Sequence, residues 1–307
     1  MKLRCATMKV TSRCNLRCEF CYEKQDNRKE LSKDQIKHII KFLKDNGCRT
    51  LMISGGEPLL RKDIYEIIEY ASSNKIKTKL ATNGTLLNCS VANRLKESGL
   101  DDIYISVGDM QDSDRLNNFY QTLKSYIHLS DSDFKIGVNV ITSKTFINNI
   151  NQHFNKIINA GIKTIFLIPP KPGNNVNWYR KECISSLYYI KLCKNILDWL
   201  DLIEISTDCA FWFLKKEIDI IKHDKLMDNY NCPAADSSFV INKEGLIYPC
   251  AYFELENYCA GNILNYNNVL SIFDSPGFQN FKIVCKSAES LFTPCISCKE
   301  DYESCIM

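Results

Sequence analysis

Cys14, Cys18 and Cys21 stand in a C-x3-C-x2-C spacing, and three thiolates this close can hold three corners of a [4Fe–4S] cluster. The fourth iron is then left without a protein ligand, so it can bind and orient a small molecule. A zinc knuckle completed by a further cysteine is the competing reading, although tetrahedral zinc sites favour paired cysteines over a triad. A second set lies far along the chain: Cys232, then Gly245-x4-Cys250, then Gly261-Asn262-Ile263, then Cys295-x2-Cys298. Four thiolates complete a cluster with no open iron. Paired cysteines at these distances also suit structural zinc, and that alternative stays open.

Loops that carry such ligands need a rigid frame, and the hydrophobic pattern supplies one. Short β-branched runs near residues 6–11, 50–54, 77–82, 102–107, 135–142 and 163–168 alternate with helical patterns, which implies parallel βαβ units. The first helix opens at Ser32, with Gln35 completing a capping box and Ile36, Ile39, Ile40 and Leu43 along one face. Six units predict an α/β fold, a partial (βα)6 TIM-like barrel, in which chemistry gathers on loops after the C-terminal ends of the strands. The cysteine triad follows the first strand. Gly55-Gly56-Glu57-Pro58 follows the second, where two glycines allow close backbone approach to a ligand and Glu57 is available to accept an ammonium. Thr82-Asn83-Gly84 ends the third strand, Ser106 the fourth, and Asn139 lies on the fifth.

Past residue 205 the pattern changes, and residues 239–241 and 246–248 read as a hairpin around Asn242-Lys243-Glu244-Gly245. The expected organisation is a barrel over 1–205, a connecting segment over 206–231 and a small iron–sulfur domain over 232–307. The stretch 169–178, rich in Pro, Gly and Asn, reads as a loop and not as a linker between domains. With 39 Lys and Arg against 36 Asp and Glu and no long run of either sign, nothing favours a nucleic-acid partner. No apolar stretch has the length of a signal peptide or a membrane span, so the expected location is the cytoplasm, with no membrane association. In that reducing compartment, 16 cysteines point to metal-held thiolates; their even count is the sole support for disulfides.

The run CNLRCEFCY resembles the signature of the radical S-adenosylmethionine (SAM) superfamily. The order of the C-terminal cysteines resembles its SPASM and twitch auxiliary-cluster domains, as in anaerobic sulfatase maturases and peptide maturases. The resemblance implies SAM and two [4Fe–4S] clusters, one SAM-binding on Cys14, Cys18 and Cys21 and one auxiliary on Cys232, Cys250, Cys295 and Cys298. It further implies that SAM chelates the open iron, that an external flavodoxin- or ferredoxin-type donor supplies an electron, and that the resulting 5′-deoxyadenosyl radical abstracts hydrogen from a substrate. By the same resemblance Phe20 and Tyr22 fall where the family contacts adenine, and Gly55, Gly56 and Glu57 match its GGEP element. Thr82, Asn83 and Ser106 match positions near the SAM ribose and carboxylate, and Asn139 a polar contact to SAM. One departure is the order Val107-Gly108-Asp109, where relatives commonly place a hydrophobic residue, Asp and Gly.

After Cys298 only Cys305 remains, which favours the shorter twitch form. Of Cys5, Cys48, Cys89, Cys183, Cys193, Cys209, Cys259, Cys285 and Cys305, most read as buried small hydrophobes, and Cys209, read either as inert or as a hydrogen donor to a substrate radical, is the functional candidate. The expected function is radical modification of a ribosomally synthesised peptide by oxidation, crosslinking or epimerisation. A dehydrogenase or rearrangement enzyme acting on a small metabolite is the alternative, and it gains from a barrel that starts almost at Met1, with no peptide-recognition domain before it. A non-catalytic, metal-stabilised binding protein comes third, because a purely structural metal site has no use for GGEP one unit later.

Overall fold

Each early segment alternates apolar residues with a mixed set, so each strand turns one face to a helical layer and the other to a cavity. The computed structural model describes residues 2–23, 26, 28–108, 113–131, 133–208, 211, 214 and 232–289. Its strands are β1 (Cys5–Lys9), β2 (Thr50–Ser54), β3 (Lys77–Thr82), β4 (Asp102–Gly108), β5 (Lys135–Ile141), β6 (Thr164–Ile168), β7 (Glu204–Thr207), β8 (Ser238–Ile241), β9 (Leu246–Tyr248) and β10 (Gly261–Asn262). They form one sheet in the order β10-β9-β8-β1-β2-β3-β4-β5-β6-β7, with β1 to β7 parallel. Helices α1 (Lys33–Asp45), α2 (Ile64–Ser73), α3 (Cys89–Glu97), α4 (Ser113–Lys124), α5 (Lys144–Asn148), α6 (Ile150–Asn159), α7 (Val176–Glu182) and α8 (Ser186–Leu197) lie between them in sequence.

Helix α1 starts where the capping box places it: Ser32 Oγ accepts from Gln35 N while Gln35 Oε1 accepts from Ser32 N. Its apolar face, Ile36, Ile39, Ile40 and Leu43, is buried in one core with the outward strand residues Leu51, Ile53, Leu80, Ile103, Val138 and Leu167. Each such side chain contributes about 1.5–3 kcal/mol by leaving water. Inward residues are a different population, among them Thr7, Met52, Lys79, Tyr104 and Asn139, and these line a cavity.

Two features go beyond six units and an appendage. Strand β7 adds a seventh parallel strand beside β6; its four residues, Glu204-Ile205-Ser206-Thr207, are too few and too polar to stand out in sequence. Strand β8 pairs in parallel with β1, from Cys5↔Ser238 to Met8↔Ile241, so the C-terminal unit continues the barrel sheet. The expected hairpin joins β8 to β9, with Gly245 at φ 88° in the left-handed region and Asn242 Oδ1 accepting from Glu244 N and Leu246 N. Helices α9 (Val269–Phe273) and α10 (Pro276–Glu289) follow. Cys295, Cys298, Cys305, Cys209, Asp109 and most of segment 206–231 lie outside the described residues. Among the described residues no helix is long and apolar enough to cross a membrane.

Candidate active site

The loop after β1 carries Cys14, Cys18 and Cys21 and is held by backbone contacts. Gly56 N donates to the Thr11 carbonyl at 2.8 Å and Glu57 N to the Arg13 carbonyl at 2.7 Å. Only glycine permits that approach: a Cβ on Gly55 would stand 2.2 Å from Thr11 O, and one on Gly56 2.3 Å from Arg13 O. The glycine pair lines the cavity, and it also makes room for the backbone of the cysteine loop.

Glu57 is placed differently from the expectation. Wholly buried and absent from the cavity wall, it accepts from Leu59 N at 3.0 Å, Thr82 Oγ1 at 2.8 Å and Asn83 N at 2.7 Å. Burial pushes its carboxyl above the ordinary range while these three hydrogen bonds pull it down. Its carboxylate therefore ties the loop after β2 to the end of β3. Asn83 continues the chain of contacts: its Nδ2 donates to Asn15 Oδ1 at 2.8 Å and lies 3.7 Å from Cys14 Sγ.

From the opposite side, the expected loop 169–178, whose last three residues instead open α7, closes on the same cysteines. Asn174 Nδ2 donates to the carbonyls of Cys21 at 3.2 Å and Glu23 at 2.9 Å. Gly173 packs so tightly that a Cβ there would come within 3.0 Å of Cys21 O and Tyr22 Cα. Asn175 caps α7 by accepting from Trp178 N at 3.0 Å, and the Trp178 ring tilts against Phe20 with centroids 5.9 Å apart. Phe20 also occupies the space beside Gly108, where a Cβ would lie 2.7 Å from the ring. Glycine at 108, part of the departure from the family pattern, is thus what the Phe20 ring requires. Residue types alone do not mark Gly173, Asn174 or Trp178 for this work; the Pro-Gly-Asn-Asn run shows a turn, and only folding shows what it clamps.

Tyr22 meets Tyr252 edge-on, with centroids 4.9 Å apart, and Lys9 Nζ stands 4.8 Å over the Tyr22 ring. Lys9, whose side chain is 3% exposed, pairs with Glu23 of the cysteine loop and with Glu254 of the C-terminal unit. Burial opposes its charge, yet Tyr22, Glu23 and Glu254 hold its pKa above the usual lysine value. Lys171 Nζ lies 4.6 Å over the Tyr252 ring and 3.4 Å from Asp208 Oδ1.

All these elements border one cavity of about 460 Å³. Cys14, Cys18 and Cys21 open onto it, as do Cys232 and Cys250 of the C-terminal unit. Phe20, Tyr22, Thr82, Asn83, Ser106 and Asn139 line it as well, and Ser106 faces Asn139 in register across β4 and β5. Burial pushes the Cys21 thiol up, with Cys18 and Cys14 adding to the effect. Burial likewise lifts Cys250 to about 11, with Cys232 contributing.

Among the described residues no three His, Cys, Asp or Glu side chains converge on a single-ion site. Zinc bound to sulfur at about 2.3 Å would draw its ligands to within roughly 4 Å of one another. A four-iron cluster keeps each thiolate on a different iron, and Cys14, Cys18 and Cys21 all open onto this cavity. Of the cysteines expected as buried filler, Cys48 is buried, whereas Cys5, Cys89, Cys183, Cys193, Cys259 and Cys285 are partly exposed. Cys5 lines the cavity, because the inward face of β1 borders open space and not packed core. None of the described cysteines forms a disulfide.

Residues 8–175 match the radical SAM superfamily. The chain belongs to that superfamily. Residues 232–299 match the SPASM iron–sulfur cluster-binding domain, so this radical SAM enzyme uses SAM and two [4Fe–4S] clusters as cofactors. It is 26% identical over 289 residues to the AdoMet-dependent heme synthase of Methanosarcina barkeri, covering 85% of this chain and 79% of that protein. Its fold superposes on SuiB of Streptococcus suis bound to precursor peptide SuiA with a TM-score of 0.74, at 19% identity over 92% of this chain and 67% of SuiB. It superposes on anSMEcpe with bound AdoMet with a TM-score of 0.69, at 18% identity over 90% of this chain and 82% of that one.

Proposed function

We propose that this radical SAM enzyme abstracts hydrogen from one residue of a ribosomally synthesised peptide, and that the peptide is released oxidised, crosslinked or epimerised. One observation carries the reading: a single cavity has the cysteine triad together with Cys232 and Cys250 on its wall. When bound, SAM and its cluster supply one-electron reductive cleavage and hydrogen abstraction. Cys14, Cys18 and Cys21 hold the SAM-binding cluster, and Asn83 and Asn174 fix the loop that presents them. Gly55 and Gly56 offer backbone to the SAM methionine end, Phe20 and Tyr22 offer ring faces, and Thr82, Ser106 and Asn139 offer polar contacts. Glu57 acts through Thr82 and Asn83. Cys232 and Cys250, with Cys295 and Cys298, hold the auxiliary cluster. The barrel over 1–205 and the iron–sulfur unit over 232–307, joined by 206–231, divide these tasks. The enzyme works in the cytoplasm with a flavodoxin- or ferredoxin-type electron donor.

The fold shared with SuiB bound to precursor peptide SuiA supports a peptide. About 460 Å³ lies in the lower part of the usual range for ligand pockets, so with SAM inside the remaining space takes a side-chain-sized group. A peptide meets that limit by inserting one side chain while its backbone stays at the mouth. The second reading, a small metabolite, draws support from the likeness to a heme synthase along most of the chain.

A matching precursor peptide should raise 5′-deoxyadenosine formation at least about tenfold over the uncoupled level, because substrate binding energy orders the reacting groups. The measurement is chromatography of anaerobic reactions with a strong reductant, alongside the mass of the recovered peptide. Stimulation by a metabolite, with none by peptides, establishes the second reading.

A further inference from the structure

The inward face of the barrel carries a charge that the SAM site does not use. Lys79 of β3 lines the cavity together with Met52 and Tyr104. It lies three residues before Thr82, roughly 10 Å along the strand from the end where the cysteine loop sits. Its Nζ stands 2.8 Å from Asp102 Oδ2 and 5.5 Å from the centroid of the Tyr104 ring.

Asp102 is shared. Lys77 Nζ stands 3.5 Å from its other oxygen, and the Asp102 side chain is 3% exposed and does not reach the cavity wall. Two ammoniums on one carboxylate leave one positive charge, and the ammonium on the cavity wall is that of Lys79. The other charged residues on this wall have their own partners: Glu23 shares Lys9 with Glu254, and Lys171 pairs with Asp208. Beside Lys79 the Tyr104 ring is fixed. A Cβ on Gly137 would come within 3.1 Å of it, and Phe166 packs against it at 6.3 Å in a T-shaped contact. Burial pushes the Tyr104 phenol above its usual range, against the pull of Lys79, so it stays protonated and able to donate.

We infer that Lys79, with Tyr104 beside it, is a specificity-determining residue that receives a carboxylate of the substrate. The inference rests on the reading of this cavity as the substrate site. An ammonium and a phenol side by side offer two donors to one carboxylate, and a charge-assisted hydrogen bond in a half-enclosed site is among the stronger polar contacts a protein makes. A neutral amide of the same shape forgoes the charge. The carboxylate belongs either to an acidic side chain of a peptide or to a free carboxylic acid.

Calorimetric titration of the cofactor-loaded protein with two matched pairs separates these sources: glutarate against glutaramide, and an end-blocked Gly-Gly-Glu-Gly-Gly peptide against its Gln counterpart. The acid should bind about 10- to 100-fold more tightly than the amide in at least one pair. Preference in the peptide pair assigns the peptide source, and preference confined to glutarate assigns the free acid. Lys79→Met should erase the discrimination and Lys79→Arg should keep it. Tyr104→Phe leaves the ion pair with Asp102 in place and should weaken acid binding several-fold, which keeps the test open if Lys79→Met does not fold. Equal binding of acid and amide by the wild type, absence of binding included, or full discrimination by Lys79→Met overturns the inference. 5′-Deoxyadenosine formed by the same wild-type preparation reports separately on the radical SAM reading of the cavity.

Discussion

Gly56→Ala should lower the rate of reductive SAM cleavage by about 100-fold or more. The added methyl would stand 2.3 Å from the Arg13 carbonyl oxygen, so the loop after β2 or the cysteine loop must move by an ångström or more. Either movement breaks the hydrogen bonds from Gly56 N to Thr11 O and from Glu57 N to Arg13 O, which fix the path into Cys14. A displacement of about 1 Å at reacting groups is enough to cost that factor. Gly55→Ala should be as severe, since its Cβ would meet Thr11 O at 2.2 Å and its φ of +139° is unfavourable for alanine. Gly47→Ala is the control: it also has positive φ, but its Cβ meets nothing nearer than 3.7 Å, so it should cost stability without slowing cleavage. The check is the initial rate of 5′-deoxyadenosine formation at matched iron content. Near-normal cleavage by Gly56→Ala would show that the close approach of the two loops is dispensable.

Lys9→Met should lower the melting temperature by roughly 5–10 °C at neutral pH. Lys9 bridges Glu23 and Glu254, with Arg28 adding a weaker pull on Glu254, so its removal leaves two partly buried carboxylates without their shared ammonium. Breaking a buried ion pair from one side typically costs about 3–5 kcal/mol. The pH dependence has a definite sign. Burial already raises the Glu254 carboxyl against the pull of Lys9, and without Lys9 it rises further. A carboxyl whose folded pKa lies above its unfolded value destabilises the fold when ionised, so the deficit is complete at neutral pH and shrinks as the pH falls through the raised value. Adding Glu254→Gln to Lys9→Met should recover part of the loss at neutral pH. Thermal unfolding followed by circular dichroism across that pH range provides the measurement, and a deficit independent of pH would reject the electrostatic cause.

Why some of this was readable in the sequence and some was not follows from the range of the interactions. Strand β3 and helix α1 announce themselves through local periodicity and a capping box, and the cysteine triad through spacing within eight residues. Glu57 shows the limit. Its place in GGEP is local, but whether its carboxylate meets a ligand or Thr82 and Asn83 depends on residues 25 and 26 positions away. Pairing of β8 with β1 joins residues more than two hundred positions apart, and the ion pair of Lys9 with Glu254 spans the same junction. Nothing near Lys9 points to a partner so distant. Lys79 has the pattern of any alternating strand residue, and only the arrangement of the whole sheet decides that its face looks onto a cavity and not onto water. The partly exposed cysteines follow the same rule, since burial of a small side chain is set by what packs over it.

The claim that this enzyme holds two [4Fe–4S] clusters is tested most directly by metal analysis of anaerobically reconstituted protein. Two [4Fe–4S] clusters require about eight iron atoms per chain with almost no zinc. Replacing Cys14, Cys18 and Cys21 by Ala should bring iron to about four and abolish 5′-deoxyadenosine formation. Replacing Cys232, Cys250, Cys295 and Cys298 should also bring iron to about four, while some SAM cleavage survives on the cluster that remains. About four iron atoms with one zinc in the wild type, or SAM cleavage that persists without Cys14, Cys18 and Cys21, would contradict it.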